Sequence, residues 1–120
     1  MATYPQPIGP YSITRDAGNL LFCAGQIGID PATGIMVSGG IEAETRQVLE
    51  NIKGVLESSA SALQDVVKTT IYLADMNDFA TVNKIYGEYF SKPYPARSTV
   101  QVAALPKGAR VEIEVIAQRM

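Results

Sequence analysis

A chain of 120 residues, 47% of them hydrophobic, holds enough apolar material for one core and too little for two, so a single domain over 1–120 is expected. Ten Lys and Arg stand singly against twelve Asp and Glu; with no basic stripe to hold a phosphate backbone, nucleic acid is not expected as a partner. One cysteine excludes an intrachain disulfide, the lack of histidine excludes Ser-His-Asp triads and the usual zinc sites, and no apolar run is long enough to span a membrane.

The start, Met1-Ala2-Thr3-Tyr4-Pro5, has neither the basic nor the apolar part of a secretory leader, which with the single thiol points to the cytosol. Ile8-Gly9-Pro10-Tyr11 leads into a short strand near Tyr11 to Thr14. Asp16-Ala17-Gly18-Asn19 reads as a turn, and Leu20 to Gly25 as the returning strand of a hairpin. Cys23 lies inside Leu20-Leu21-Phe22-Cys23-Ala24, the setting of a buried, inert thiol. Asp30-Pro31-Ala32-Thr33-Gly34 is a further turn. From Ile41 to Leu63 apolar residues recur at helical spacing, with Glu42, Glu44, Arg46, Glu50, Lys53 and Glu57 on the wet side.

Asp65 to Leu73, rich in β-branched residues, reads as a strand. Asn77 or Asp78 caps a second helix with an apolar stripe through Phe79, Val82, Ile85, Tyr86, Tyr89 and Phe90, ended by Pro93 and Pro95. Ser98 to Ala103 and Arg110 to Ala117 are the last strands, joined through Leu105-Pro106-Lys107-Gly108 and expected to pair as a hairpin. Gly25, Gly28, Gly34, Gly39 and Gly40 match neither a dinucleotide fingerprint nor a phosphate loop, and no metal or cofactor is implied.

The order β-β-α-β-α-β-β gives an α+β fold, a single sheet with both helices packed on one face. The other face needs cover, because Leu20 with Phe22 oppose Leu21 with Cys23, and Val66 with Tyr72 oppose Val67, Ile71 and Leu73. Self-association answers that need; a monomer with a moderately apolar face is the alternative.

Two features carry possible chemistry. Arg97, in Tyr94-Pro95-Ala96-Arg97-Ser98-Thr99-Val100, is placed by a proline-stiffened turn at the mouth of a strand. It is either a fork for a ligand carboxylate or a loop arginine paired to a surface carboxylate. Glu112 and Glu114 share one face of the last strand and either meet solvent or line a cleft that raises their pKa. The expected final hairpin brings Glu112 near Thr99 and Arg97.

Ile8-Gly9-Pro10-Tyr11-Ser12, Ala24-Gly25-Gln26-Ile27, Val67-Lys68-Thr69-Thr70, Asn77-Asp78-Phe79 with Thr81-Val82-Asn83, Pro95-Ala96-Arg97-Ser98, Ala104-Leu105-Pro106-Lys107-Gly108 and Glu112-Ile113-Glu114 run in one order from Ile8 to Gln118. In these the chain resembles the RidA/YjgF family of enamine/imine deaminases. The resemblance implies a chorismate-mutase-like fold and a homotrimer with a site at each subunit interface. The implied reaction is hydrolysis of 2-iminobutanoate and 2-iminopropanoate to 2-oxo acids and ammonia, which limits damage by 2-aminoacrylate.

It also implies roles. Arg97 matches the arginine that binds the substrate carboxylate and Glu112 the glutamate that holds the attacking water. Tyr11 matches the tyrosine closing the pocket and Asn83 an asparagine near it, while Ala24, Gly25, Ser98 and Thr99 match its lining. Ala24 stands where a serine is common, Thr99 where a cysteine is, and Gly28 where a proline is. Two other functions are weighed against this one: a non-catalytic module binding small carboxylic acids, and the RNA cleavage ascribed to relatives, which the acidic balance and missing histidine disfavour.

Overall fold

The computed structural model describes residues 3–119; Met1 and Ala2, with the reading of a missing leader, and Met120 lie outside the described residues. Strands β1 (Thr14–Ala17) and β2 (Leu20–Gln26) form the first hairpin, beginning later than Tyr11. Its tight turn is possible because Gly18 takes a φ of 61°, where a side chain is strained. Two short strands missed in the sequence, β3 (Ile29–Asp30) and β4 (Ile35–Met36), pair around the Asp30–Gly34 turn in a small separate ribbon. They are too short to show an alternating pattern.

Helix α1 (Gly40–Ser58) stops before the expected Leu63. Ala60 turns left-handed at φ 58° and Ser61 N–H returns to the Leu56 carbonyl, a helix stop made without the glycine that normally announces it. Strand β5 (Val66–Leu73) follows. Asp78, one of the two expected caps, occupies the N-cap position of helix α2 (Phe79–Tyr89) without a side-chain capping bond, while Asp75 caps the 3-10 turn Met76–Asp78 just before it, accepting from Asn77 N–H at 2.9 Å.

Strands β6 (Ala96–Gln101) and β7 (Val111–Gln118) do not form a hairpin. The main sheet has the order β1-β2-β7-β5-β6, with β6 parallel to β5 and β7 antiparallel to both β2 and β5. Val111, Ile113, Val115 and Ala117 are buried, which suits β7 to the centre. The polar β6, with Arg97, Ser98, Thr99 and Gln101, suits an edge.

Both helices lie on one face. Val48, Leu49, Ile52, Val55 and Leu56 of α1 and Val82, Ile85 and Tyr86 of α2 close over Leu21, Cys23, Ile71, Leu73 and the buried face of β7. A bulge between Val66 and Lys68 puts Val66 in this core beside Ile71 and Leu73, not on the face of Tyr72 as the uninterrupted alternation predicts. The opposite face carries Leu20, Phe22, Tyr72, Val100, Glu112, Glu114 and Ile116; Phe22 and Val100 are each 43% exposed. Tyr72 Oη donates to Glu114 Oε1 there at 2.7 Å, so this face is a mixture of apolar and paired polar groups.

The inner side of α1 also holds polar ties. Glu44, expected in water, is buried, and its carboxylate accepts from Arg110 N–H at 2.8 Å and meets Arg110 Nε at 3.3 Å. Asn51 is wholly buried and donates to the Ile27 and Ile29 carbonyls. Gly54 lets the backbone of Thr3 lie against the helix, since a Cβ there would stand 2.3 Å from the Thr3 carbonyl oxygen.

Candidate functional site

The candidate residues fall into two recesses. Arg97 lies on β6 opposite Thr69 of β5. Its guanidinium sits over the Tyr86 ring at 4.8 Å and near Phe79 at 5.7 Å, a cation–π contact of about 0.5–2 kcal/mol. Among the described residues no carboxylate comes within ion-pair reach of Arg97, so the surface salt bridge considered for it is not formed. Tyr86 is itself fixed by a 2.9 Å hydrogen bond between its hydroxyl and Thr69 Oγ1. Arg97 and Tyr86, with Asn83, Gly87, Tyr94 and Pro95, enclose a recess of about 340 Å³. The apolar stripe of α2 marks Tyr86 only as core; the helical step from Asn83 to Tyr86 is the signal that links it to the site.

Thr99 shares the alternation of Arg97, and its Oγ1 is buried with no hydrogen-bond partner. Ser98 points to the other side and is exposed.

The second recess, about 470 Å³, is lined by Tyr11, Ala24, Gly25 and Glu112 together with apolar Ile8, Ile27, Ile29 and Pro106. The ladder between β2 and β7 slips between Cys23 and Gln26, and Gly25 within that slip makes room for the glutamate. A Cβ on Gly25 would lie 2.1 Å from Glu112 Oε2. Burial, and secondarily the charge of Glu114, raises the pKa of Glu112 above the ordinary carboxylate range. A carboxylate so placed can take up and return a proton nearer neutrality. Tyr11 forms an exposed rim, its hydroxyl accepting from Ile8 N–H at 3.3 Å.

Glu112 and Arg97 do not meet within one chain. Glu112 stands opposite Tyr72 and Arg97 opposite Thr69. Thr69 and Tyr72 are an odd step apart on β5, beyond its bulge, so the two groups lie on opposite faces of the sheet. The expected proximity of Glu112 to Thr99 and Arg97 required the β6–β7 hairpin and falls with it.

Among the described residues no three His, Cys, Asp or Glu side chains converge as a metal site, and no helix is long and apolar enough to cross a membrane.

A family profile described as Endoribonuclease L-PSP matches residues 1–119. A RutC family protein of Pyrococcus horikoshii is 57% identical over 96% of this chain and 91% of its own length. The human 2-iminobutanoate/2-iminopropanoate deaminase is 49% identical over 97% and 85%. Among solved structures, RidA from an Antarctic Psychrobacter superposes with a TM-score of 0.95 at 44% identity, covering 99% of this chain and 96% of that one. Escherichia coli TdcF with bound serine superposes at 0.93 and 39% identity, covering 100% and 96%.

Proposed function

The chain belongs to the Endoribonuclease L-PSP (YjgF/RidA) family, and from that premise we propose that it hydrolyses short 2-imino acids to 2-oxo acids and ammonia in the cytosol. The observation that carries this reading is the Arg97 guanidinium, held over Tyr86 at an open recess with no carboxylate of the described residues in ion-pair reach. A substrate carboxylate fits there with charge-assisted hydrogen bonds of about 1.5–3 kcal/mol each. The naming of the human relative as an imine deaminase supports the chemistry, and the serine bound by TdcF supports a small carboxylate ligand.

In this mechanism Arg97 anchors the carboxylate, with Asn83 at its side. Glu112, as carboxylate, takes a proton from water as the water oxygen bonds the imine carbon. That proton passes to nitrogen to give the tetrahedral carbinolamine; Glu112 then takes the hydroxyl proton and returns it to the nitrogen as the C–N bond breaks, so that ammonia leaves and the C=O of the 2-oxo acid forms. No covalent enzyme intermediate is required, since the imine carbon is already electrophilic. Because Glu112 and Arg97 lie on opposite faces of one sheet, the proposal includes a homotrimer in which the Glu112 recess of one copy meets the Arg97 recess of the next. Tyr11, Ala24 and Gly25 then line the water side of the seam. The biological effect proposed is removal of 2-aminoacrylate-type species before they react elsewhere.

The test is release of 2-oxobutanoate from imine generated by a threonine dehydratase. Arg97→Ala is expected to lower kcat/KM by at least about a hundredfold with the oligomer intact, and near-normal turnover overturns the reading. The serine in TdcF favours one alternative, a module that binds small carboxylates without catalysis. It predicts that wild type binds 2-oxobutanoate yet accelerates nothing, and that Glu112→Ala binds equally well. The nuclease activity in the family's description has no histidine to draw on in this chain, whose formal charge is −2.

A further inference from the structure

We propose that Asn51, outside both recesses, is a positioning residue that sets the substrate side-chain preference of the site; the inference rests on the imine chemistry proposed above. Ile27 and Ile29 form part of the apolar wall of the Glu112 recess. Ile27 lies in the short link between β2 and β3 and Ile29 opens the two-residue β3; Ile29 N–H turns back to the Ile27 carbonyl at 2.8 Å and Val37 N–H bonds the Gly28 carbonyl.

Such a segment has no long ladder to fix it. Asn51 supplies the missing tie: its amide donates to the Ile27 carbonyl at 3.1 Å and the Ile29 carbonyl at 2.9 Å, so one side chain grips both ends of the wall. The amide cannot turn over at will, because Gln47 Nε2 donates to Asn51 Oδ1 at 2.9 Å and leaves its NH₂ facing the carbonyls. Asn51 is fully buried on a helix otherwise packed with Val48, Leu49, Ile52 and Val55. An apolar residue would serve packing alone there, since a buried amide stabilises only when its hydrogen bonds are made. Gly28, between the two gripped carbonyls, lies tight against α1, with room for a Cβ only 3.0 Å from Glu44 Cα. The wall is therefore pressed and tied to one helix, and its distance from Glu112 follows the position of that helix.

The wall bounds the space that a substrate's apolar side chain enters, while Arg97 takes its carboxylate. Loosening the wall changes how the site ranks side chains of different size and leaves carboxylate recognition in place. The measured quantity is the ratio of kcat/KM for 2-iminobutanoate to that for the bulkier imine derived from leucine. This ratio is independent of the fraction of folded enzyme, so a purely structural role for Asn51 does not move it. The same ratio is taken in dissociation constants for 2-oxobutanoate and 4-methyl-2-oxopentanoate by calorimetry.

Asn51→Leu, of similar volume, is expected to change the ratio about tenfold. Gln47→Ala, at a half-buried position, is expected to change it two- to threefold in the same direction, roughly as the loss of one orienting hydrogen bond requires. An unchanged ratio in folded Asn51→Leu overturns the proposal; if that variant does not fold, an unchanged ratio in Gln47→Ala does. Wild type that binds the oxo acids without turning over imines defeats the deaminase reading instead, and the affinity ratios then decide on Asn51.

Discussion

Separation of Arg97 and Glu112 by the thickness of the sheet makes a quantitative complementation experiment possible. Arg97→Ala and Glu112→Ala are each expected to lose nearly all imine hydrolysis, one for want of a carboxylate anchor and the other for want of a water-orienting base. If each site joins the Arg97 side of one copy to the Glu112 side of another, a mixed ring regains working sites. A seam works when the copy giving the arginine is the Glu112 variant and its neighbour the Arg97 variant. With equal amounts combined at random, that occurs at roughly one seam in four, so about a quarter of wild-type activity returns. The two variants are co-refolded, mixed rings are confirmed by native mass spectrometry, and 2-oxobutanoate release is compared with unmixed controls. Activity no greater than the average of the two controls, in samples shown to contain mixed rings, refutes the shared-seam argument.

Glu112→Gln is expected to lower turnover by about 10²-fold or more while stabilising the fold at neutral pH. The folded protein holds the Glu112 proton more tightly than the unfolded chain does, so ionisation destabilises it as pH rises above the ordinary glutamate range. The gain in melting temperature should therefore grow from that range upward and vanish below it; a gain that is flat with pH contradicts the burial of this carboxylate. Gly25→Ala is expected to change stability by no more than about 1 kcal/mol, because the atom it meets first ends a flexible side chain, yet to abolish most turnover by displacing the Glu112 carboxylate. Unaltered kinetics in that variant would show that the glutamate's present position is not needed.

Much of the layout was legible from periodicity. The alternation of Val111, Ile113, Val115 and Ala117 marked a buried strand face, and the stripe of α2 marked its docking side. Pairing was less so, because adjacency in sequence favoured a β6–β7 hairpin while the real order depends on which strand is apolar enough for the centre. The helix stop at Ala60 had no glycine to signal it, and the bulge after Val66 reversed a face without leaving a composition trace. Of the candidate site, Tyr11, Ala24, Gly25 and Glu112 do gather in one recess and Asn83 with Arg97 in another. What a linear pattern did not contain was their distribution over two faces, which depends on strand order, and the stacking of Arg97 on Tyr86, which depends on how α2 crosses the sheet.

The missing side chain at Gly54 has a wider effect than its size implies. A glycine within a helix forfeits about 1 kcal/mol relative to alanine, and in exchange the backbone at Thr3 beds down against α1. Between Tyr4 and Ile13 the chain belongs to no strand or helix, and the far end of this stretch is pinned by Ala24 N–H on the Ile13 carbonyl. With Tyr4 and Ile13 packed on the core and Pro5, Gln6, Ile8 and Tyr11 between them lining the Glu112 recess, the outer wall of that recess depends on a backbone contact remote from any reacting atom.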